Sequence, residues 1–93
     1  MFLEIVTPEA ILFSSEVESI SVPGINGEFQ MLNNHAPIVS ILKNGVIKIE
    51  SSNFKIDEKF ESKFSKTEDG KISFSINSGT LELNDNKAII LAD

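Results

Sequence analysis

The sequence has no cysteine, no tryptophan, no tyrosine and no arginine. Without cysteine there is no disulfide staple, no thiolate zinc site and no cysteine nucleophile. Without arginine the planar fork that grips guanine and phosphate in bidentate fashion is missing. All 8 basic residues are lysines, and against 14 acids they leave a formal net charge of −6. That balance repels nucleic acid and anionic lipid, so no nucleic-acid partner is expected. Lacking tryptophan and tyrosine, the chain also lacks the usual aromatic platforms for sugars. No apolar run approaches the roughly 20 residues that span a bilayer. Met1-Phe2-Leu3 is followed at once by Glu4, so no signal peptide is expected. There is no Asn-x-Ser/Thr sequon either. The expectation is a soluble, intracellular domain.

What remains is an ordinary globular composition, 41% hydrophobic over 93 residues. That length makes one domain, residues 1–93, and buries only about two-thirds of the unfolded surface. The dominant period is two. Ile72-Ser73-Phe74-Ser75-Ile76 alternates strictly, as a strand with one buried face does. Leu81 and Leu83 flank Glu82, Ile47 and Ile49 flank Lys48, Phe54 and Ile56 flank Lys55, and Leu3 and Ile5 bracket Glu4. Ile20 and Val22 alternate with Ser19 and Ser21. Two runs are nearly continuous, Ile38 to Leu42 and Ala88 to Leu91. They predict strands buried on both faces, or strands whose outer face a partner covers. Thr7-Pro8, Pro23-Gly24, Asn26-Gly27, Asn44-Gly45, Asp69-Gly70 and Asn84-Asp85-Asn86 supply turns between the runs. About eight to ten short strands at this spacing predict an all-β sandwich or barrel.

One segment is ambiguous. Ile56, Phe60 and Phe64 recur every four residues among Glu58, Lys59, Glu61 and Lys63. That spacing suits a short amphipathic helix or an exposed hairpin arm. The strand patterns on both sides favour the hairpin.

Catalytic chemistry is sparse. His35 is the only histidine, and no serine sits in a Gly-x-Ser-x-Gly elbow. No metal-ligand spacing appears, so His35 is expected as a structural hydrogen-bonder in a turn. Glu16 and Glu18 lie two apart, about 7 Å along a strand, and are expected to be a solvated face. Gly24-Ile25-Asn26-Gly27 is not followed by Gly-Lys-Ser/Thr, so no phosphate cradle and no cofactor is indicated.

The most discriminating stretch runs from Val22 to Gly45. Pro23 and Gly24 predict one turn, and Gly27 a second with positive φ. Glu28 is then placed at a loop tip, with Phe29 and Met31 pointing one way and Leu32 making a core contact. Asn33, Asn34 and His35 form a polar corner closed by Ala36-Pro37.

Pro23, Gly24, Gly27, Glu28, His35, Ala36, Pro37, Leu42 and Gly45 follow, in order, the recurring pattern of one family. The chain resembles the epsilon subunit of the rotary ATP synthase, called delta in mitochondria. The start, Leu3-x-Ile5-Val6-Thr7-Pro8-Glu9, and the end, Ser78-Gly79 with Leu81-Glu82-Leu83 and Ile90-Leu91-Ala92-Asp93, fit as well. Gln30 and Asn33 stand where the family often has Gly or Ala, and Pro. The resemblance implies a flattened β-sandwich of about ten strands. It implies a non-catalytic stalk role, with the gamma subunit on one side and the membrane c-ring at one end, coupling proton flow to ATP synthesis. Asn26, Gly27, Glu28, Phe29 and Gln30 would face the c-ring. Met31, His35, Ile38 and Ser40 would face gamma. An exposed Glu28 ion pair would add only about 0–1 kcal/mol, so apolar area would supply most of the docking. In most members a helical hairpin follows the position of Asp93. The implied expectations are no inhibition of hydrolysis through such a hairpin, no nucleotide, and a peripheral place on the cytoplasmic face of a bacterial inner membrane. A free-standing peptide- or polysaccharide-binding module is the rival class, and a hydrolase built on His35 a distant third.

Overall fold

A computed structural model of the chain describes residues 1–52, 56 and 58–93. Alternating residues become ten strands, so the all-β expectation holds. They are β1 (Phe2–Val6), β2 (Ile11–Glu16), β3 (Ser19–Gly24), β4 (Gly27–Leu32) and β5 (Ile38–Leu42), then β6 (Gly45–Glu50), β7 (Phe64–Lys66), β8 (Ile72–Ile76), β9 (Gly79–Asn84) and β10 (Lys87–Ala92).

The strands hydrogen-bond in the order β2-β1-β10-β9-β5-β3-β6-β8-β7, with β4 paired to the other side of β3. Among the described residues, only β1 and β10 run parallel. The join between β5 and β3 is a single register pair, Leu42 with Gly24. There the sheet folds over into two halves, β2-β1-β10-β9-β5 and β4-β3-β6-β8-β7. The inward residues of both halves form one core, with Leu3, Ile5, Leu81 and Ile90 from the first and Ile20, Val22, Met31, Ile47 and Ile49 from the second, all fully buried. Period-two burial is what allows one sequence to build both faces, because successive side chains on a strand point to opposite sides.

Three local expectations are corrected. The favoured hairpin arm near Phe60 is instead a 3₁₀ helix, Glu58–Lys63, leading into β7. Ile56, Phe60 and Phe64 pack against the core from there. Their four-residue recurrence was a local signal for a helical turn, and the neighbouring strands had no bearing on it. The Phe54–Ile56 alternation falls partly on residues 53–55, outside the described residues. Pro23 and Gly24 do not make a turn of their own, since both belong to β3 and Ile25-Asn26 alone connects β3 to β4. Leu32 is exposed rather than in the core, because Met31 takes the inward position beside it.

Candidate docking surfaces

The β3–β4 hairpin tip is one candidate. Gly24 pairs with Gly27 across the two-residue connection, and Gly27 takes φ +124°, a conformation that needs no Cβ. Glu28 is therefore the second residue of β4 and not a loop apex. Its carboxylate lies 3.8 Å from the Lys48 ammonium, and both side chains are about half exposed. So loose a pair in water contributes little stability. Behind it, the Gln30 amide donates to Ser19 Oγ at 3.3 Å, and the buried Ser19 hydroxyl donates to Glu50 at 3.1 Å. Gln30 thus ties β4 to β3 and β6.

The polar corner lies at the other end of β4, about 17 Å away at the usual strand rise. Asn34 sits at φ 65°, and its N–H donates to Asn86 Oδ1 at 2.8 Å. Asn86, itself at φ 59° in the β9–β10 turn, also accepts from the Phe2 N–H at 3.0 Å. The Met1 amino group donates to Val17 O, Glu16 Oε2 and Asn33 Oδ1. His35 is exposed, and its Nδ1–H donates to Ala36 O at 2.7 Å. Glu18 accepts from the Ser52 N–H at 3.2 Å, so Glu16 and Glu18 serve separate structural contacts at the surface.

The third surface lies on the two nearly continuous apolar runs, Ile38–Leu42 and Ala88–Leu91, for which the sequence left open an outer face covered by a partner. Ile11, Val6, Leu91, Thr80 and Ile41 are successive register partners across β2, β1, β10, β9 and β5. Glu4, Ile89, Glu82 and Val39 form the neighbouring row. None of these residues is buried, so both rows lie on the outer side of the sheet. Ile11 is 55% exposed, Val39 77%, Ile41 61% and Leu91 52%. A shallow cleft of about 520 Å³ runs along the first row between Val6, Ile41 and Leu91. On the other half of the sandwich the corresponding outer row is Gln30, Ser21, Lys48, Ser73 and Ser65, all polar. One outer row is therefore polar and the other face is rich in exposed apolar side chains, with Thr80 between Ile41 and Leu91 and Glu82 between Val39 and Ile89, which makes it a candidate interaction surface.

Residues 1–93 match the family model for the β-sandwich domain of the ATP synthase delta/epsilon chain. The chain belongs to that family. An ATP synthase epsilon chain from Chlorobium limicola is 38% identical over 91 residues, which cover 98% of this chain and 86% of the relative. One from Campylobacter curvus is 40% identical over 93 residues, covering all of this chain but 60% of the relative. Among solved structures, a chain of the Tetrahymena thermophila mitochondrial ATP synthase central stalk/c-ring has the same fold, with TM-score 0.72 at 16% identity over 99% of this chain and 62% of that one. A chain of the Euglena gracilis mitochondrial enzyme gives TM-score 0.71 at 21% identity, over 97% and 48%.

Within this delta/epsilon sandwich, the residues proposed for contacts separate by strand parity. Asn26, Glu28 and Gln30 are exposed at or beside the hairpin tip, while Gly27 and Phe29 are half-buried. Phe29 packs on the core. Of the four assigned to the gamma side, only His35 is exposed. Met31 is fully buried in the core. Ile38 and Ser40 pair with the buried Leu83 and Leu81, so they occupy the inward row of β5. Val39 and Ile41 hold the outward row instead. Their signal in the sequence is the nearly continuous apolar run Ile38–Leu42, interrupted only by Ser40, since a strand with one solvated face needs no Val39 or Ile41. Among the described residues no helix is long and apolar enough to cross a membrane. No cluster of three or more metal-ligating side chains forms among them either.

Proposed function

We propose that this chain is a non-catalytic stalk subunit of a proton-translocating rotary ATP synthase, joining the gamma subunit to the membrane c-ring. The family match across residues 1–93 carries this reading. The relatives named above are ATP synthase epsilon chains, and the two structural neighbours come from assemblies described by their central stalk or c-ring. The apolar outer face of β5, β9 and β10 seats gamma, with Val39, Ile41 and Leu91 at its centre and His35 at its lower rim. The hairpin tip, Asn26 to Gln30, meets the polar loops of the c-ring, with Glu28 facing a basic residue there. The chain lies at the membrane surface on the cytoplasmic side, held by its partners. It transmits torque, for which a close-packed sandwich is suited because such interiors compress little. No reaction step is assigned to it. His35 Nδ1–H donates to the Ala36 carbonyl, which suits a structural role in the corner.

Co-purification tests this. The chain is expressed with gamma, and then with the whole complex. Gamma is retained by the wild-type chain, and Glu28→Lys loosens attachment to the ring without releasing gamma. If gamma is never retained, the stalk reading fails.

A further inference from the structure

Among the described residues, strand β4 has one paired edge and one bare edge. Which backbone groups face outward follows from the opposite neighbour of β3. Pro23 O accepts from Lys43 N–H at 2.8 Å, so the polar groups of Pro23 point to β5 and away from β4. Pro23 is the register partner of Glu28. Backbone groups alternate sides along a strand, so Glu28, Gln30 and Leu32 direct theirs away from β3. Leu32 O is satisfied by the His35 N–H at 3.2 Å. Among the described residues, nothing pairs with the N–H and C=O of Glu28 and Gln30 or with the Leu32 N–H, and all three residues are exposed.

The other edges are protected. On β2 the register shifts between Ile5 and Val6, and Ser51 Oγ donates to Glu16 O at 2.9 Å. The end of β5 is fastened at Ile41, whose carbonyl accepts from the Ile25 N–H of the β3–β4 connection, and at Lys43 just beyond it, whose N–H donates to Pro23 O of β3. Strand β7 has three residues and ends in Lys66. Short strands, bulges and lysines are the usual means of blunting an edge. Strand β4 has none of them. It is six residues long, its register with β3 is unbroken, and Glu28 is its only charge.

We propose that the outer edge of β4 accepts an extended segment of a protein partner as an added antiparallel strand. Strand addition uses main-chain hydrogen bonds for affinity and alternate side chains for choice of partner. Here Glu28 and Leu32 lie on one face four residues apart, so the segment carries a basic residue and an apolar residue at the same spacing. The net charge of −6 favours a basic strand and opposes a second copy of this chain. Six residues of edge also bury far less than the roughly 800 Å² per partner of a stable dimer. The edge exists whether or not the chain sits in a rotary stalk.

Amide hydrogen exchange on the ¹⁵N-labelled full chain tests the proposal. In the free chain the amides of Glu28 and Gln30 exchange fast while those of Phe29 and Met31 are protected. The probe is a capped peptide, Thr-Val-Thr-Thr-Thr-Lys-Thr, and its counterpart has Glu in place of Lys. At millimolar concentration the lysine peptide slows exchange at Glu28 and Gln30 by about tenfold, and the acidic one does so far less. Gln30→Pro removes the outward N–H, at a place where an edge strand tolerates proline, together with the side-chain bond to Ser19 that Gln30→Ala also loses, and abolishes the effect. Gln30→Ala keeps the N–H and preserves it. Unchanged exchange at Glu28 and Gln30 with the lysine peptide overturns the proposal. So does an equal response in Gln30→Pro, or protection that grows with protein concentration alone, which assigns the edge to a second copy. If Gln30→Pro does not fold, the two peptides on the wild-type chain still decide.

Discussion

Phe13 and Phe64 stand 6.1 Å apart between ring centroids, tilted by 45°, and they join β2 and β7, which share no backbone pairing. These strands are the two ends of the hydrogen-bonded order, so the sandwich closes on this side through side chains alone. Phe64 also lies 5.1 Å from Phe74 on the neighbouring strand β8. Aromatic pairs at such separations add to the area they bury. Phe64→Ala is expected to cost about 2 kcal/mol, less than a fully buried phenylalanine because Phe64 is half-exposed. Phe64→Leu should cost about half of that. Urea unfolding followed by circular dichroism measures both. A loss under about 0.5 kcal/mol for the alanine variant would mean that the closure contributes nothing.

Gly79 is set by a different constraint. A Cβ there would stand 2.5 Å from the Leu91 carbonyl oxygen, and backbone cannot step aside as a flexible side chain can. Gly79 pairs with both Ala92 and Leu42, so any shift strains two strands. Gly79→Ala is expected to lose about 2 kcal/mol by overpacking, or about 10 °C in Tm for a domain of this size. Gly70, at φ 83° with open space around it, should lose less on the same substitution. A thermal melt in which the two variants are alike contradicts the assignment.

The strand content was legible because alternation such as Ile72–Ile76 has one physical meaning, a half-buried strand. A turn near Asn26-Gly27 and the corner at Asn33–Pro37 were legible from turn chemistry, whereas the turn read at Pro23-Gly24 is part of β3. The order of the strands was not, since the parallel β1–β10 pair joins the two ends of the chain and leaves no local trace. At the candidate site, residue positions were legible and side-chain directions were not. Ile38 and Ser40, assigned to a contact face, are half-buried on the inward row of β5, and a one-residue shift along a strand turns every side chain to the other face. Gln30 and Asn33 looked like departures from a pattern. In the fold each makes a hydrogen bond, Gln30 to Ser19 and Asn33 to the Met1 amino group, and neither partner is near in sequence.

Asp69 supplies a pH prediction. Its carboxylate accepts from Thr67 Oγ1, which holds its pKa below the ordinary 3.8, aided by the Lys71 backbone N–H and ammonium. A lowered folded-state pKa means that ionised Asp69 favours the fold. That contribution is complete above the unfolded value and is lost as pH falls through the folded one. Asp69 is fully exposed, so the effect is small and screened by salt. Melting curves for the wild type and Asp69→Asn should diverge above the ordinary carboxylate range and converge in stronger acid. Parallel curves throughout would remove the assigned role.

Asn86 does two jobs that two substitutions separate. Its backbone holds φ 59°, and its side-chain oxygen accepts from Asn34. Asn86→Gly keeps the left-handed backbone at no steric cost and loses only the hydrogen bond, for about 1 kcal/mol. Asn86→Ala loses the bond and adds left-handed strain of roughly another 1 kcal/mol. Denaturant midpoints should therefore fall in the order wild type, glycine, alanine. The reverse order would show that the turn, not the cross-link to Asn34, is unimportant.

The last prediction separates docking from folding on the apolar face. Ile41 and Leu91 are register partners of Thr80 from opposite sides, and both are more than half exposed. Replacing either by Asp removes no core contact, so stability should change by no more than about 0.5 kcal/mol. If gamma seats on this face, a charge at its centre must be desolvated on binding without a partner, and that weakens retention by tenfold or more, about 1.4 kcal/mol or above. Ser75→Asp provides the control. Ser75 is exposed on β8, on the polar half of the sandwich, and its variant should bind like the wild type. Pull-down of gamma with each purified variant, alongside its melting temperature, reads both quantities. Ile41→Asp and Leu91→Asp chains that melt normally and still hold gamma would place the gamma seat elsewhere. A Ser75→Asp chain that alone loses gamma would move it to the polar half.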